Sequence, residues 1–267
     1  MIIYIRELIR NRKSTMLWTS ILLVYNVSML LLYPSLVGPS KDKMNLLMEA
    51  FPKEMMVAFG LDKVSITEML GYYNTYCYLL VTILGGIFAI IQGISILSKE
   101  EDEKTIEFLL SKPVSRRKIV TAKVLSVLTN LVILNTIVSL ISFVTIELVN
   151  NEGYNRKALL LLFIAPVLMQ VTFAAIGLFI SVFIVKARVN FPIGVGIVLG
   201  CYFISIIASI STKAEFLKYF TPFKYVDGAD IITNQSIEPV YLLIMAIVTV
   251  ACIVGTYIFY NKKEIVA

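Results

Sequence analysis

Six long runs of the chain contain no aspartate, glutamate, lysine or arginine, and they constrain its fold more than any other feature. Each is at least 21 residues long, and they are residues 14–40, 72–97, 124–146, 158–185, 189–210 and 240–260. About 20 apolar residues cross the roughly 30 Å hydrocarbon layer of a membrane as a helix. Helices of soluble proteins carry a polar face instead, and membrane β-strands are about 10 residues long with alternating polarity. The sequence therefore predicts an all-α integral membrane protein with six transmembrane helices.

The composition supports this interpretation. Hydrophobic residues make up 58% of the 267 residues and charged residues 16%, against roughly 25% charged residues in soluble domains. We expect a single domain over residues 1–267. The predicted spans lie at about 15–36, 72–97, 119–148, 158–185, 189–210 and 240–260.

The segment before the first span is predicted to form an amphipathic helix on the membrane surface. Its apolar side chains recur at helical spacing, and its basic side chains lie off that stripe. The apolar residues are Ile2, Ile5, Leu8 and Ile9, and the basic residues are Arg6, Arg10 and Lys13. The alternative is a positively charged flank without a fixed structure.

The distribution of basic residues predicts the orientation of the chain. With six spans, both termini lie on one side of the membrane. That side carries 15 of the lysines and arginines, and the other side carries 9. Basic residues accumulate in cytoplasmic segments, so both termini and the segment between spans two and three are expected in the cytoplasm.

Several classes of active site require residues that the sequence lacks. The chain has no histidine, which argues against His-dependent hydrolases and most zinc enzymes. It has no G-x-x-x-x-G-K-[ST] motif for ATP and no charged residue central to a span, as ion-coupled carriers usually need. Its basic residues lie at span ends near lipid phosphates, which argues against nucleic-acid binding. We expect no cofactor or metal in this chain, so an energy-consuming step would need a partner.

Neutral polar residues and glycines inside the spans have two interpretations each. The polar residues either join helices by hydrogen bonds or line a path for a substrate. They are Asn26, Gln92, Asn130, Asn135 and Gln170. Gly196 and Gly200 have the spacing that lets two membrane helices approach closely, and they are therefore helix-packing candidates; the alternative is that they are incidental.

The segment between spans two and three is densely charged. Of its 21 residues from 98 to 118, 11 carry a charge. On a helix starting near Glu100, Ile106 and Leu110 share an apolar face and Glu107 lies on the opposite side. Phe108 lies on the polar side, where it either rests among lipid headgroups or inserts into a pocket of a cytoplasmic partner.

The end of this charged segment has the features of a helix boundary. Pro113 is expected to end the first helix, and Ser115 is expected to cap the next one. Arg116, Arg117 and Lys118 then occupy the first turn, where the helix dipole disfavours positive charge. Anionic lipid or an acidic patch on a partner would have to outweigh that cost.

The same stretch resembles the signature of type-2 ATP-binding-cassette transporter permeases. The resemblance rests on Glu100-Glu101, Thr105-Ile106-Glu107, the run from Leu109 to Arg116, and Lys123. The segments "FPKEMMVAFGL" and "YFTPFKYVDGADII" are similar to the first and last outer loops of that family. Two positions depart from the family pattern, since Lys104 replaces a usual glycine and Gly228 a frequent proline.

This resemblance implies partners and site residues. The six spans would pair, within a lipid membrane, with a second copy or a related permease chain. ATP and Mg²⁺ would be bound by two copies of a cytoplasmic ABC ATPase subunit. Residues 100–112 would form the coupling helix that docks on the ATPase. The implied docking residues are Glu100, Glu101, Glu103, Glu107, Phe108, Leu110, Arg116 and Arg117, with the two arginines anchored at the inner surface.

The expected function is that of a plasma-membrane permease subunit that is not itself catalytic. It would couple ATP hydrolysis by a separate ATPase to the outward movement of an amphipathic cargo, such as a peptide, lipid or drug. The alternative is a non-transporting membrane sensor or immunity protein that binds a toxic peptide. An intramembrane enzyme is a third interpretation, but the sequence offers no catalytic constellation for it.

Overall fold

The computed structural model of the protein describes residues 2–37, 51–103, 115–150, 153–184 and 186–263. Across these ranges the regular structure is helical, and they contain no strand. The helices are α1 Ile2–Val37, α2 Lys53–Ala58, α3 Met69–Asp102, α4 Arg116–Val149, α5 Arg156–Ser181, α6 Asn190–Ile210, α7 Pro222–Tyr225, α8 Gly228–Asn234 and α9 Pro239–Lys262. A turn of π-helix, Tyr73–Tyr78, interrupts α3.

Six of these helices are long and apolar enough to span a membrane, which confirms the predicted number. They are α1, α3, α4, α5, α6 and α9. One end of the bundle contains the first and the last described residues of the chain, and we call it the terminal end. The helices α1 and α4 start there, and α3, α5 and α9 end there. The opposite end holds α2, α7 and α8, together with the 3₁₀ segment Thr212–Phe220.

The first helix differs from its prediction. It is one helix of 36 residues, so a separate surface helix ending near residue 15 is wrong. The segment contains no helix-breaking residue before Pro34, and the side chain of Glu7 is buried against other helices. The apolar stripe of Ile2, Ile5 and Ile9 remains exposed, as expected for contact with lipid.

The centre of the bundle is the contact between α3 and α5, which is the most extensive helix pairing among the described residues. Two glycines bring their backbones together. A Cβ on Gly93 would lie 2.3 Å from the carbonyl oxygen of Ala174, and a Cβ on Gly177 would lie 2.5 Å from that of Ile90. Both distances are far below a van der Waals contact, so neither position tolerates a side chain without moving a helix.

The remaining long helices pack around this centre. α1 packs on α4, α6 on α3, and α9 on α5. In their most apolar windows, α3 is 67% buried, whereas α6 is 17% buried and α9 only 11%. Gly196 and Gly200 on α6 do not make the predicted close packing within one chain, because a Cβ at either would meet nothing within 4 Å in the described part of the chain.

The connection between α6 and α9 folds back against the bundle. The hydroxyl of Thr221, which is fully buried, donates to the carbonyl oxygen of Cys201 at 2.7 Å. The ring of Phe223 lies 5.7 Å from that of Phe173 on α5 and 5.5 Å from that of Tyr202 on α6. These contacts place α7 between two spanning helices, which fixes the shape of the opposite end.

Gly177→Leu is expected to lower the free energy of unfolding by about 1–3 kcal/mol or more, because overpacking forces α3 and α5 apart. The matched control is Gly196→Leu, which adds the same side chain where nothing lies nearby. The thermal unfolding midpoint in detergent is the measurement. Equal shifts in both variants would contradict the assignment of the α3–α5 contact as the centre.

Candidate functional site

The terminal end of the bundle contains a buried group of four charged side chains, which we call the inner ion cluster: Glu7, Lys99, Glu100 and Lys123. Lys123 of α4 is completely buried. Its Nζ lies 2.8 Å from Glu100 Oε1 and 3.1 Å from Glu7 Oε1, and it donates to the carbonyl oxygen of Ile96 at 2.6 Å. One ammonium group therefore joins α1, α3 and α4.

Lys99 completes the inner ion cluster. Its Nζ lies 2.8 Å from the other carboxylate oxygen of Glu7 and 3.2 Å from Asn11 Oδ1. The cluster thus contains two carboxylates and two ammonium groups, and its formal charge is zero. Burying an ion is costly unless opposite charge and hydrogen bonds compensate it, so these four groups depend on one another.

A second connection lies beside the first. Lys263, directly after α9, contacts both carboxylate oxygens of Glu101 at 2.6 and 2.7 Å. The same ammonium donates to the carbonyl oxygen of Val182 at 2.7 Å. Val182 follows the last residue of α5, where helix carbonyls lack partners within the helix. Lys263 therefore joins the ends of α3, α5 and α9.

Arg116 explains why a basic residue begins α4 against its own helix dipole. Its guanidinium donates to the carbonyl oxygens of Tyr260, Asn261 and Lys263, at 3.2, 3.3 and 2.7 Å. These are the free carbonyls at the negative end of α9. The attraction expected from lipid or a partner is therefore supplied, for Arg116, by another helix of the same chain.

The other predicted boundary features are confirmed where they are described. The Ser115 hydroxyl accepts a hydrogen bond from the backbone N–H of Lys118 at 3.4 Å, as an N-cap does. Arg117 and Lys118 are exposed on the surface of the first turn of α4, so both remain available to lipid or to a partner.

The predicted start of the coupling helix is wrong. The spanning helix α3 continues to Asp102, so Glu100 and Glu101 belong to it rather than to a separate docking helix. Both carboxylates face lysines of their own chain, because Lys123 and Lys263 lie within ion-pair distance. Glu103 is more exposed and pairs with Arg10 of α1.

Three predicted docking residues, Glu107, Phe108 and Leu110, lie outside the described residues, and their roles stay predictions. The described chain stops at residue 103 and resumes at residue 115. Both of these boundaries lie next to the ionic contacts above. The described residues that flank positions 104–114 therefore contact several helices of the bundle.

Sequence patterns did not predict the ion pairs of Glu7 with Lys99 and of Lys263 with Glu101. A signal for Glu7 was present, since it is the only acidic residue among the basic ones of the first 13 positions. It also interrupts the predicted polar face of a basic segment, which is a reason to look for a buried partner. Lys263 carries no such signal, because its partner Glu101 lies 162 residues away in the chain.

The middle of the bundle contains a hydrogen bond between helices. Asn135 Nδ2 of α4 donates to Gln170 Oε1 of α5 at 2.6 Å, with both side chains buried. Asn26 instead donates to the carbonyl oxygen of Leu22 in its own helix at 2.8 Å. Interhelical bonding is thus confirmed for Asn135 and Gln170, which couples α4 to α5 halfway along their length.

The opposite end has an ionic junction of its own. Lys224 of α7 lies 2.6 Å from Asp227 Oδ2 and 3.2 Å from Asp230 Oδ2. Lys63, in the connection between α2 and α3, lies 2.6 Å from Asp230 Oδ1. Asp230 therefore joins the connection before α3 to the connection before α9.

The charges at this junction shift one another's protonation. Burial disfavours the charged ammonium of Lys224, but Asp227 and Asp230 outweigh it and raise its pKa above the ordinary value. Burial would raise the pKa of Asp230, but hydrogen bonds and charges from Lys63 and Lys224 lower it below the ordinary value. Both groups are therefore charged at neutral pH.

Lys123→Met is expected to cost about 3–5 kcal/mol of stability, because it leaves buried carboxylates without their counter-ion. Adding Glu100→Gln should recover part of that loss by removing the surplus negative charge. Lys157→Met, at an exposed position, is the matched control. Thermal unfolding in detergent measures all three, and an equal midpoint for Lys123→Met and Lys157→Met would contradict the cluster.

The junction at Asp230 is expected to weaken in acid. Because the pKa of Asp230 is lowered on folding, its stabilisation is complete above its ordinary value of about 4 and is lost as pH falls through the folded value. Lys224 sets a limit at high pH instead. Because its pKa is raised on folding, its contribution to the free energy of unfolding is complete below about pH 10.4 and is lost as the pH rises through the folded value.

Hydrogen exchange of residues 222–234, corrected for intrinsic rates, should therefore show less protection below about pH 4. Asp230→Asn should lose most of this pH dependence, whereas Glu54→Gln, which changes an exposed acid outside the junction, should retain it. Equal pH dependence in the parent chain and in Asp230→Asn would contradict the assignment.

Comparison with known proteins gives one match. A family model described as ABC-2 family transporter protein matches residues 1–265. No curated protein matches the chain, and no solved structure matches it.

Proposed function

We propose, because this chain belongs to the ABC-2 family of transporter proteins, that it is the permease subunit of an ATP-driven exporter. Members of this family are membrane transport subunits, and this chain is accordingly a multi-pass membrane permease. The finer proposal is that a separate ATPase drives outward movement of an amphipathic cargo across the plasma membrane. ATP and Mg²⁺ would be bound by that partner and not by this chain.

The observation that carries this proposal is the set of ionic contacts on both sides of residues 104–114. A docking segment can transmit force only if its ends are held by the helices that must move. Glu100 and Glu101 at the end of α3 are held by lysines of α4 and of the segment after α9. Arg116 at the start of α4 is held by the end of α9.

These contacts suggest how movement of an ATPase would reach the membrane. Closure of the ATPase dimer would displace the docking segment, and α3 and α4 would move with it. α5 would follow α3 because Gly93 and Gly177 bring the two backbones into direct contact. The permease would therefore respond as a connected group of helices.

The contacts with the ATPase are proposed at five of the eight predicted docking residues. Glu107, Phe108 and Leu110 remain predicted docking residues. Arg117 and Glu103 are exposed, and Glu103 also pairs with Arg10. Glu100, Glu101 and Arg116 would instead hold the docking segment in place. This division follows from the inward contacts of the last three residues.

Both termini are proposed to lie in the cytoplasm, which places the inner ion cluster on the same side as the ATPase. The excess of basic residues on that side supports this orientation. A second permease chain is proposed to cover α6 or α9, whose apolar windows are the least buried of the six. Gly196 and Gly200 would then pack in that interface.

The double variant Glu107→Lys plus Phe108→Ala is expected to weaken ATPase binding at least tenfold, since aromatic anchors commonly contribute 2 kcal/mol or more. Co-purification with co-expressed ABC ATPases of the same organism, and ATP-dependent flux in proteoliposomes, would measure the effect. Glu54→Lys plus Phe51→Ala repeats the same changes on exposed residues at the opposite end.

Normal ATPase binding and flux in the double variant would refute the docking proposal. The single variant Phe108→Ala separates its two interpretations. Loss of ATPase binding in detergent would assign Phe108 to the partner, whereas an effect on membrane association alone would assign it to lipid.

A further inference from the structure

A two-part cleft at the opposite end of the bundle is not used by the coupling mechanism. Its inner chamber has a volume of about 80 Å³ and lies between α3, α6 and the segment around α7. Its outer groove has a volume of about 480 Å³ and is lined mainly by charged residues. The two parts are continuous, because Val57, Gly60, Ser209 and Asp227 line both.

The inner chamber is lined by a polar side chain that is largely buried. Asn74, in the π-helical turn of α3, is 8% exposed and lines the chamber. Its amide makes no hydrogen bond within residues 2–37, 51–103, 115–150, 153–184 and 186–263. Buried amides normally have partners, so this amide is available to a ligand.

The chain is built to accommodate that amide. A Cβ on Gly228 would lie 1.9 Å from Asn74 Oδ1, and a Cβ on Gly60 would lie 3.9 Å from Asn74 Nδ2. Gly60 also has a positive φ of 68°, which a side chain would disfavour. The two outer connections thus meet over the Asn74 side chain, and Gly228 rather than a proline allows it.

The walls of the chamber combine apolar and polar side chains. The rings of Tyr202 and Phe223 form one apolar part, and the hydroxyl-bearing residues Thr75, Thr82, Ser205 and Ser209 also line it. A volume of about 80 Å³ is below that of typical drug sites, which hold roughly 300–1,000 Å³. The chamber therefore fits one side chain or ring, while the rest of a ligand would lie in the groove.

The charged residues of the groove determine whether it favours a positively or a negatively charged ligand. Five acidic residues and three lysines line it. All three lysines are already engaged, by Asp230, by Asp227 with Asp230, and by Glu215. Asp62 and Glu238 have no ion pair within the described ranges of the chain. Among the described residues that line the groove, the acidic side chains Asp62 and Glu238 are thus unpaired, and every lysine is paired.

We infer that this cleft binds a cationic amphiphile. Its ammonium or guanidinium group lies in the groove near Asp62 and Glu238. A short apolar group enters the chamber along its aromatic wall, and a polar group next to it hydrogen-bonds to the Asn74 amide. The cation is either a basic peptide or a non-peptide amine, because both present the same chemistry to these residues. This inference deepens the proposed function by naming the class of cargo, and it rests on that function only for the claim that the bound molecule is transported.

Binding is tested with the full-length chain in phosphatidylcholine nanodiscs, where zwitterionic lipid limits adsorption of cations. The probes are the peptide Lys-Phe-Lys amide and the amine phenethylammonium. Acetyl-phenylalanine amide and Glu-Phe-Glu are the neutral and acidic controls. We expect saturable binding of at least one cationic probe by calorimetry, weaker at high salt, and the probe that binds identifies the source of the cation.

Two variants test the two parts of the cleft. Asp62→Asn plus Glu238→Gln should reduce affinity up to about fivefold per carboxylate, as partly exposed ion pairs allow. Ser205→Leu should abolish binding by filling the chamber that Ser205 lines. The matched controls, Glu54→Gln and Ser20→Leu, alter exposed positions outside the cleft and should leave affinity unchanged.

The inference is overturned if neither cationic probe binds, if the acidic peptide binds equally well, or if the cleft variants bind like their controls. These outcomes are independent of the ATPase, which is absent from the assay. Cleft binding without ATP-dependent flux would refute the proposed exporter and leave the site standing. Flux of a cationic probe that survives Ser205→Leu would refute the site and leave the exporter standing.

Discussion

The ammonium group of Lys123 is the interaction on which the terminal end of the molecule depends. It is completely buried. Without partners, a charge at this position would either destabilise the folded protein or lose its proton. Two carboxylates and a carbonyl oxygen compensate it. Because these partners come from α1 and α3, the placement of three helices is decided by the requirement to satisfy one charge.

Helix ends provide a second principle of assembly. The last carbonyl groups of a helix have no hydrogen-bond donor within that helix. In this protein, side chains from elsewhere in the chain donate to two such helix ends. Arg116 serves the end of α9, and Lys263 serves the end of α5. Each cation also lies at the negative end of a helix dipole, so the same contact satisfies hydrogen bonds and favours the charge.

The number of spans, the cap at Ser115 and the bond between Asn135 and Gln170 were predictable, because each follows from local composition or from buried polarity. The inner ion cluster was not, since Glu7 and Lys123 lie 116 residues apart and spacing along the chain carries no information about such pairs. Local pattern likewise favoured Gly196 and Gly200, whereas the close helix contact uses Gly93 and Gly177.

The candidate site also has features that the sequence predicted and features that only the fold shows. The density of charge between spans two and three predicted a cytoplasmic element, but the internal partners of Glu100 and Glu101 required the fold. A sequence pattern shows which side chains are charged, and it does not show which of them are neutralised by distant residues. Residues that look exposed in a charged segment can therefore belong to the interior.

The contacts of Lys263 constrain the number of residues at the end of the last helix. One turn of helix separates Lys263 from Phe259, whose carbonyl accepts its backbone N–H. An inserted residue in that turn would rotate the following side chain by about 100° and direct its ammonium away from Glu101. The number of residues between the core of α9 and Lys263 is therefore fixed by this contact. Substitutions in that turn are easier to accommodate than insertions or deletions.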